Sequence, residues 1–258
     1  MTFPKTKDKH AFKPMFDTGF LFQNVNSAEV IPSKAILIYS RRIAEEFSKD
    51  LNPSEFELFS AKDGNYNFFS IHKSSAPEML IIRISIGAPL TAMITDDLIR
   101  LGVKKILLIG EAGGIKQDLS SGDIVLCTKA LRDEGASHHY IKGTRYVSPD
   151  ADQTKTIAKY LKDAGIGFLK GPTWTTDGPY TETKEEVEKY SKAGIYTVEM
   201  EAAALFAVAS KKGAKASAVF IVSDVLRLDS GWSNFERNES YAKGFGKLTT
   251  IAKLFSRI

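Results

Sequence analysis

The chain has 258 residues, 43% of them hydrophobic and 26% charged, a balance that fits a globular protein with a sizeable core and excludes a disordered or fibrous chain. Lysine and arginine number 35 against 31 acidic residues, and the resulting charge of +4 is spread without a long basic run, which argues against a nucleic-acid stripe and suits at most a small anionic ligand. One cysteine, Cys127, cannot make an internal disulfide, and no segment approaches the ~20 apolar residues of a membrane helix, so a cytoplasmic protein is expected.

In chain order, residues 1–33 are an irregular N-terminal segment of what reads as a single domain over 1–258. Residues 35–39 are the first strand, leading into the helical pattern 41–51. Weaker strands pass through 68–72 before the isoleucine-rich run 79–86, and Pro89 precedes a helix over 91–101. Residues 104–110 read as a strand covered on both faces, because Ile106, Leu107, Leu108 and Ile109 are contiguous rather than alternating. That strand is expected to end on a turn, Gly110-Glu111-Ala112-Gly113-Gly114. A strand over 123–130 is followed by a loop through Gly135, His138, His139 and Gly143. Asp150 or Asp152 caps a helix carrying Ile157, Leu161 and Ala164 on one face, which Gly165 closes. A strand over 167–176, a charged helix over 182–191 and a short strand over 195–198 lead to a helix over 200–211. The most apolar strand is 216–223, and a last helix over 234–255 places Tyr241, Phe245, Leu248, Ala252 and Phe255 on one stripe. Strands alternating with helices, without linker or repeat, indicate a layered α/β fold.

Two strand ends carry chemistry. The run Val198-Glu199-Met200-Glu201-Ala202-Ala203-Ala204-Leu205 joins a strand to an alanine-rich helix, where backbone N–H groups stabilise carboxylates that could accept hydrogen bonds from two sugar hydroxyls. Met200 offers a soft apolar surface beside them. The ordinary alternative is a helix start with acidic first-turn residues. At the other strand end, Val222-Ser223-Asp224 delivers an acid where open α/β sheets bind ligands, and apolar surroundings would let it keep a proton for donation. Arg237, thirteen residues on, could orient that carboxyl, although a strand-ending Ser-Asp is often a cap and a helical arginine often a surface group.

Together with Asp177-Gly178-Pro179-Tyr180, whose tyrosine stands nineteen residues before Glu199, these runs resemble the nucleoside phosphorylase family, which includes uridine phosphorylases, purine nucleoside phosphorylases and methylthioadenosine nucleosidases. The likeness extends from about Ile84 to the C-terminus and includes Leu131-Arg132-Asp133-Glu134-Gly135-Ala136-Ser137-His138-His139-Tyr140. It implies a three-layer α/β/α fold around a mixed, partly closed sheet and a homodimer or larger homo-oligomer. It also implies phosphorolysis of a ribonucleoside to free base and ribose 1-phosphate, with inorganic phosphate as co-substrate and no cofactor. Glu199, Met200 and Glu201 would hold the ribose, Tyr180 would stack near base or sugar, and Asp224 with Arg237 would protonate the base. Thr183-Lys184-Glu185 lacks the Gln-x-Arg pair that reads a pyrimidine, so a purine is favoured.

The phosphate site departs from the family. No Gly-Asp-Pro-x-x-Arg loop follows the first strand, which runs into Ile38-Tyr39-Ser40-Arg41-Arg42, and Leu108 and Glu111 stand where an arginine and a Ser or Thr are expected. Like charges ~4 Å apart repel by ~4 kcal/mol at an effective dielectric of about 20, so an ionised Glu111 facing the pocket opposes phosphate. Either phosphate binds through Arg41, Arg42, Arg237 and the N–H groups of the Gly113-Gly114 turn, with Glu111 directed away or ion-paired to one of the arginines, or Glu111 activates water and the chain is a hydrolase. A nucleoside-binding protein without turnover is a third reading. His138 and His139 lack companions for a metal site, Trp174 and Trp232 could touch substrate or serve packing, and His10 could reach a neighbouring subunit.

Overall fold

The structure, a computed structural model, describes residues 6, 8–15, 31–51, 54–55, 70–73, 79–233 and 239–258. In order these form β1 (Lys34–Ile38), α1 (Arg41–Leu51), β2 (Ser54–Glu55), β3 (Ser70–Lys73), β4 (Leu80–Arg83), α2 (Ala88–Arg100), β5 (Lys105–Gly114), β6 (Ile124–Asp133), α3 (Ser137–Tyr140) and β7 (Tyr146–Val147). Then follow α4 (Ala151–Asp163), β8 (Leu169–Thr176), α5 (Lys184–Lys192), β9 (Thr197–Glu199), α6 (Ala202–Lys212), β10 (Lys215–Arg227), β11 (Gly231–Ser233), α7 (Glu239–Phe245) and α8 (Lys247–Phe255).

All strands join one mixed sheet in the order β11-β10-β6-β8-β9-β5-β1-β4-β3-β2, with β7 beside β6. β10 also pairs in parallel with β5, which closes β10, β6, β8, β9 and β5 on themselves and leaves the remaining strands as an open extension. Alternation along β1 shows the layering: Ala35 and Leu37 pack on the side of α2 and α6 with Ile94, Leu98 and Phe206. Ile36 and Ile38 pack on the opposite side with Ile43 and Phe47 of α1, Ile157 and Leu161 of α4 and Ile251 of α8. The expected three-layer α/β/α architecture around a partly closed sheet is therefore present. Each such fully buried aliphatic side chain contributes roughly 1.5–3 kcal/mol.

α2 and α6 lie side by side in the same direction. Ala88, Ala92, Ala204 and Val208, small residues four apart on each helix, form their contact. At the N-terminal ends the Gly87 N–H donates to Glu201 Oε1 at 2.7 Å, and at the C-terminal ends Asp96 Oδ1 takes both Arg100 Nε and Lys212 Nζ at 3.0 Å.

Several boundaries differ from the sequence reading for physical reasons. Gly110-Glu111-Ala112-Gly113-Gly114 is the second half of β5, not a turn: Gly113 and Gly114 pair with Val198 and Thr197 of β9 on one side and with Asp224 and Val225 of β10 on the other. A Cβ on Gly113 would come within 3.1 Å of both Val198 Cγ1 and Leu226 Cδ1, so glycine serves close strand approach there. β10 runs past Asp224 to Arg227, with a register shift between Val222 and Asp224. α2 begins at Ala88 and takes Pro89 into its first turn, where a missing N–H costs nothing. Asp150 is the cap of α4, its carboxylate accepting the Gln153 N–H at 2.8 Å, and the loop after β6 contains the short α3.

The last helix divides at Gly246, yet Tyr241, Phe245, Leu248, Ala252 and Phe255 are all buried as the stripe predicts. Gly122 (φ +95°) permits this seating, because a Cβ there would stand 2.3 Å from the carbonyl oxygen of Ser240, beside Tyr241. Part of the 68–72 strand and the start of the last helix, with Arg237, lie outside the described residues.

Candidate active site

β1 and β5 run parallel with Ile38 opposite Ile109, so Tyr39 and Ser40 leave β1 at the edge where Gly110 and Glu111 lie on β5. β9 and α6 meet at the same edge. These elements, with Ile86, Leu108 and Phe220, enclose a cavity of ≈ 180 Å³ whose wall includes Glu111, Glu199, Met200 and Glu201. Tyr39, Ser40, Ile86 and Phe220 were missed from the sequence; the rule that ligands bind beyond the C-terminal ends of parallel strands would have pointed to Tyr39 and Ser40.

The junction between β9 and α6 is held by carboxylates. Glu199 Oε2 accepts the N–H groups of Glu201 (2.8 Å) and Ala202 (2.7 Å), and its Oε1 accepts the hydroxyls of Thr175 (2.5 Å) and Thr173 (3.4 Å). Thr175 Oγ1 in turn accepts the Ala203 N–H at 3.1 Å, so orphan donors of the α6 N-terminus are satisfied by side chains. Glu201 Oε1 takes Gly87 N–H and its Oε2 takes the Met200 N–H at 3.2 Å. Both acids are almost wholly buried. Burial pushes Glu199 up to about 7 against the hydrogen bonds that hold it down, and pushes Glu201 up to about 8, with the neighbouring Glu199 charge adding to the rise. Glu199 has four donors and Glu201 two, so the pair's first negative charge resides on Glu199 and Glu201 is the group free to exchange partners. Tyr39, whose hydroxyl meets Thr91 Oγ1 at 3.0 Å, is pushed well above its ordinary range by burial and by Glu201.

Glu111 accepts a hydrogen bond from the Tyr241 hydroxyl. The Arg42 guanidinium lies 5.2 Å from the Tyr241 ring centre and 4.9 Å from that of Phe245, with Nη1 3.5 Å from the same hydroxyl. Arg42 thus reaches Glu111 only through Tyr241, whose role the sequence did not reveal. Arg41 ion-pairs with Glu45 on its own helix and is exposed, so it is not brought to the cavity. Gly113 and Gly114, expected to cradle phosphate, have neighbouring strands on both sides and offer no open turn.

Asp224 is not part of the cavity wall. Its Oδ2 is 3.6 Å from where a Gly113 Cβ would be, and Gly113 separates it from Val198. Ser223 Oγ donates to its Oδ1 at 2.5 Å and Trp232 Nε1 to its Oδ2 at 2.7 Å. Burial and the Asp224 charge raise Glu182, across from it, to about 7. Tyr180 is fully exposed on the turn Pro179–Thr181 and does not reach the cavity. Trp174 is a core residue bonded to Asp133, His10 Nε2 meets the carbonyl of His138, and His139 Nδ1 meets Lys9 Nζ. Among the described residues no three His, Cys, Asp or Glu side chains are grouped to hold a metal, and no helix is long and apolar enough to cross a membrane.

The sequence profile of the Phosphorylase superfamily matches residues 36–253, spanning every element of this cavity. The chain belongs to that family. Among its relatives, a guanosine phosphorylase of Halorubrum lacusprofundi is 32% identical over 149 residues, 58% of this chain and 62% of that protein, so the match spans less than two thirds of the relative. A DeoD-type purine nucleoside phosphorylase of Actinobacillus pleuropneumoniae is 33% identical over 168 residues, 64% of this chain and 68% of its own. Two solved structures share the fold: purine nucleoside phosphorylase from Toxoplasma gondii (TM-score 0.74, 18% identity, 88% of this chain and 90% of that one) and uridine phosphorylase from Vibrio fischeri (0.71, 19%, 88% and 92%). Among the described residues, the cavity wall of this chain holds three carboxylates and neither lysine nor arginine.

Proposed function

We propose that the protein cleaves the N-glycosidic bond of a purine ribonucleoside by phosphorolysis. The observation that carries this reading is the Glu199-Met200-Glu201 junction, which presents one tethered and one exchangeable carboxylate to a cavity in a chain whose relatives are named guanosine and purine nucleoside phosphorylases. In this reading Glu201 gives up Gly87 and Met200 N–H groups for the two ribose hydroxyls, and Met200 lies against the sugar. A phosphate oxygen bonds to the anomeric carbon as the C–N bond breaks. The electron pair goes to the base, and Asp224 supplies a proton to a purine ring nitrogen, a contribution on the order of 10²–10⁴ in rate. Arg237 is proposed to orient that acid and Tyr180 to stack near base or sugar. Ser40 lines the cavity directly before α1, so phosphate is proposed to enter beside the start of that helix, with Arg42 behind Tyr241. The reaction needs no cofactor. We place the protein in the cytoplasm, as one domain assembling into a homodimer or larger oligomer.

Hydrolysis is the second reading, favoured by the uncompensated carboxylates: Glu111, aligned by Tyr241, would take a proton from water as the water oxygen bonds to the anomeric carbon. Incubation of inosine, guanosine and adenosine with and without phosphate decides between them. The primary reading expects free base and ribose 1-phosphate only when phosphate is present. Equal base release in phosphate-free buffer, yielding free ribose, would overturn it.

A further inference from the structure

Tyr39 takes no part in the cleavage as proposed, yet a chain of hydrogen bonds ties it to the carboxylate that would hold the sugar. Its ring lines the acidic cavity and its hydroxyl meets Thr91 Oγ1 on α2 at 3.0 Å. Thr91 is wholly buried, and its own hydroxyl donates to the Gly87 carbonyl, one turn earlier, at 2.9 Å. The Tyr39 hydroxyl has no other acceptor among the described residues, so the arrangement that uses both hydrogens runs in one direction: Tyr39 donates to Thr91, and Thr91 to Gly87. The Gly87 N–H then donates to Glu201 Oε1 at 2.7 Å. The end of β1, the start of α2 and the β9–α6 junction are thus linked in series.

Gly87 is the step at which this link acts. Its φ of +116° and ψ of 145° belong to a conformation that residues with a Cβ rarely adopt, and glycine has little steric preference of its own to hold it there. The direction of its N–H therefore depends on how firmly its carbonyl is anchored. Thr91 supplies that anchor twice, by its hydroxyl and by its N–H at 3.2 Å, and the donation from Tyr39 fixes the orientation of the hydroxyl and strengthens its bond. We propose that Tyr39 is a positioning residue for Glu201, acting through Thr91 and Gly87 to hold the carboxylate in the orientation that meets the sugar. This inference rests on the proposed role of Glu201 as the group that takes the ribose hydroxyls. The groups that face Glu201 are Glu199 from β9, Asp177 from the end of β8 and Tyr39 from the end of β1, with Glu111 of β5 in the same cavity wall. The N–H groups of Gly87 and Met200 favour its ionised form against burial and the Glu199 charge, so loosening Gly87 moves its titration upward.

The test follows the Glu201 carboxyl itself, by carboxyl-carbon NMR of the full chain with labelled glutamate and Glu201→Gln to assign the signal, in wild type, Tyr39→Phe, Thr91→Val and the double variant. Each single change should raise the Glu201 midpoint by at least about 0.3 pH unit, and the double variant should raise it no further than the larger single change, because the two groups act in series. In steady-state kinetics with guanosine, Tyr39→Phe should lower kcat/KM about threefold to tenfold, mainly through KM, and the limb of its pH profile set by Glu201 should move up with the NMR midpoint. An unchanged midpoint in Tyr39→Phe, or shifts that add in the double variant, would overturn the positioning role. If the wild type neither binds nor cleaves a nucleoside while the midpoints still move as stated, the glycosidic reading fails and the link from Tyr39 to Glu201 stands.

Discussion

The two ends of the α2/α6 pair obey the same helix electrostatics and differ in burial. At the N-terminal ends Glu199 and Glu201 are 6% exposed and accept six hydrogen bonds between them, from backbone N–H groups and two threonines. At the C-terminal ends the cations Lys9, Lys13 and Lys211 are exposed and surround a water-accessible cavity. Negative groups at helix starts and positive groups at helix ends are both favourable. Only the buried end concentrates that energy, because removing one partner there strands donors away from water. Perturbation should therefore cost much at one end and little at the other.

The largest effect is expected for Glu199→Ala, which strands the Glu201 and Ala202 N–H groups and the Thr175 hydroxyl, while Thr173 keeps the Thr197 carbonyl; denaturant titration should show a loss of about 3–5 kcal/mol. A loss below about 1 kcal/mol would mean that the junction is not held by this carboxylate. Next is Glu201→Gln, expected to reduce kcat/KM for a purine nucleoside by about 10²–10³-fold while the fold stays within about 1–2 kcal/mol of wild type. Steady-state kinetics and thermal melts on the same preparation separate the two effects.

A pH series sharpens the contrast. Glu199 and Glu201 sit at about 7 and about 8 in the fold against an ordinary 4.5, so the unfolded chain releases these protons first. Raised carboxyl values mean that their contribution is greatest below about pH 4.5 and is lost as pH rises towards 8. Glu182, raised to about 7, acts in the same direction. Melting temperature should fall from pH 5.5 to 8.5, and fall less in Glu201→Gln; an equal fall in both would assign the effect elsewhere. The smallest change is expected at the basic end, where Asp96→Asn removes the shared partner of Arg100 and Lys212 and should cost about 1 kcal/mol at low salt and less at high salt.

Much of this was legible in the sequence. The α1 bounds, the α/β alternation and the buried stripe from Tyr241 to Phe255 follow from periodicity. The β9–α6 junction, an ordinary helix start when taken alone, stood out only through the resemblance that joins it to the Asp224 and Tyr180 runs. What escaped depended on partners distant in the chain. Glycines 113 and 114 look like a turn until β9 and β10 are known to press on both sides of them. Asp224 looks like a strand-ending acid, yet β10 continues and a hairpin brings Trp232 to its carboxyl. Tyr241 is 130 residues from Glu111, and only the seating of α7 against Gly122 joins them. The cations around the cavity at the C-terminal ends of α2 and α6 escaped for the same reason: they come from three segments and never appear as a run.

The most direct test is a crystal structure with an unreactive purine nucleoside bound. Both ribose hydroxyls are expected within hydrogen-bonding distance of the Glu201 carboxylate, with Met200 against the sugar and the Gly87 N–H released. A sugar bound elsewhere, with Glu201 still held by Gly87 and Met200, would contradict the account.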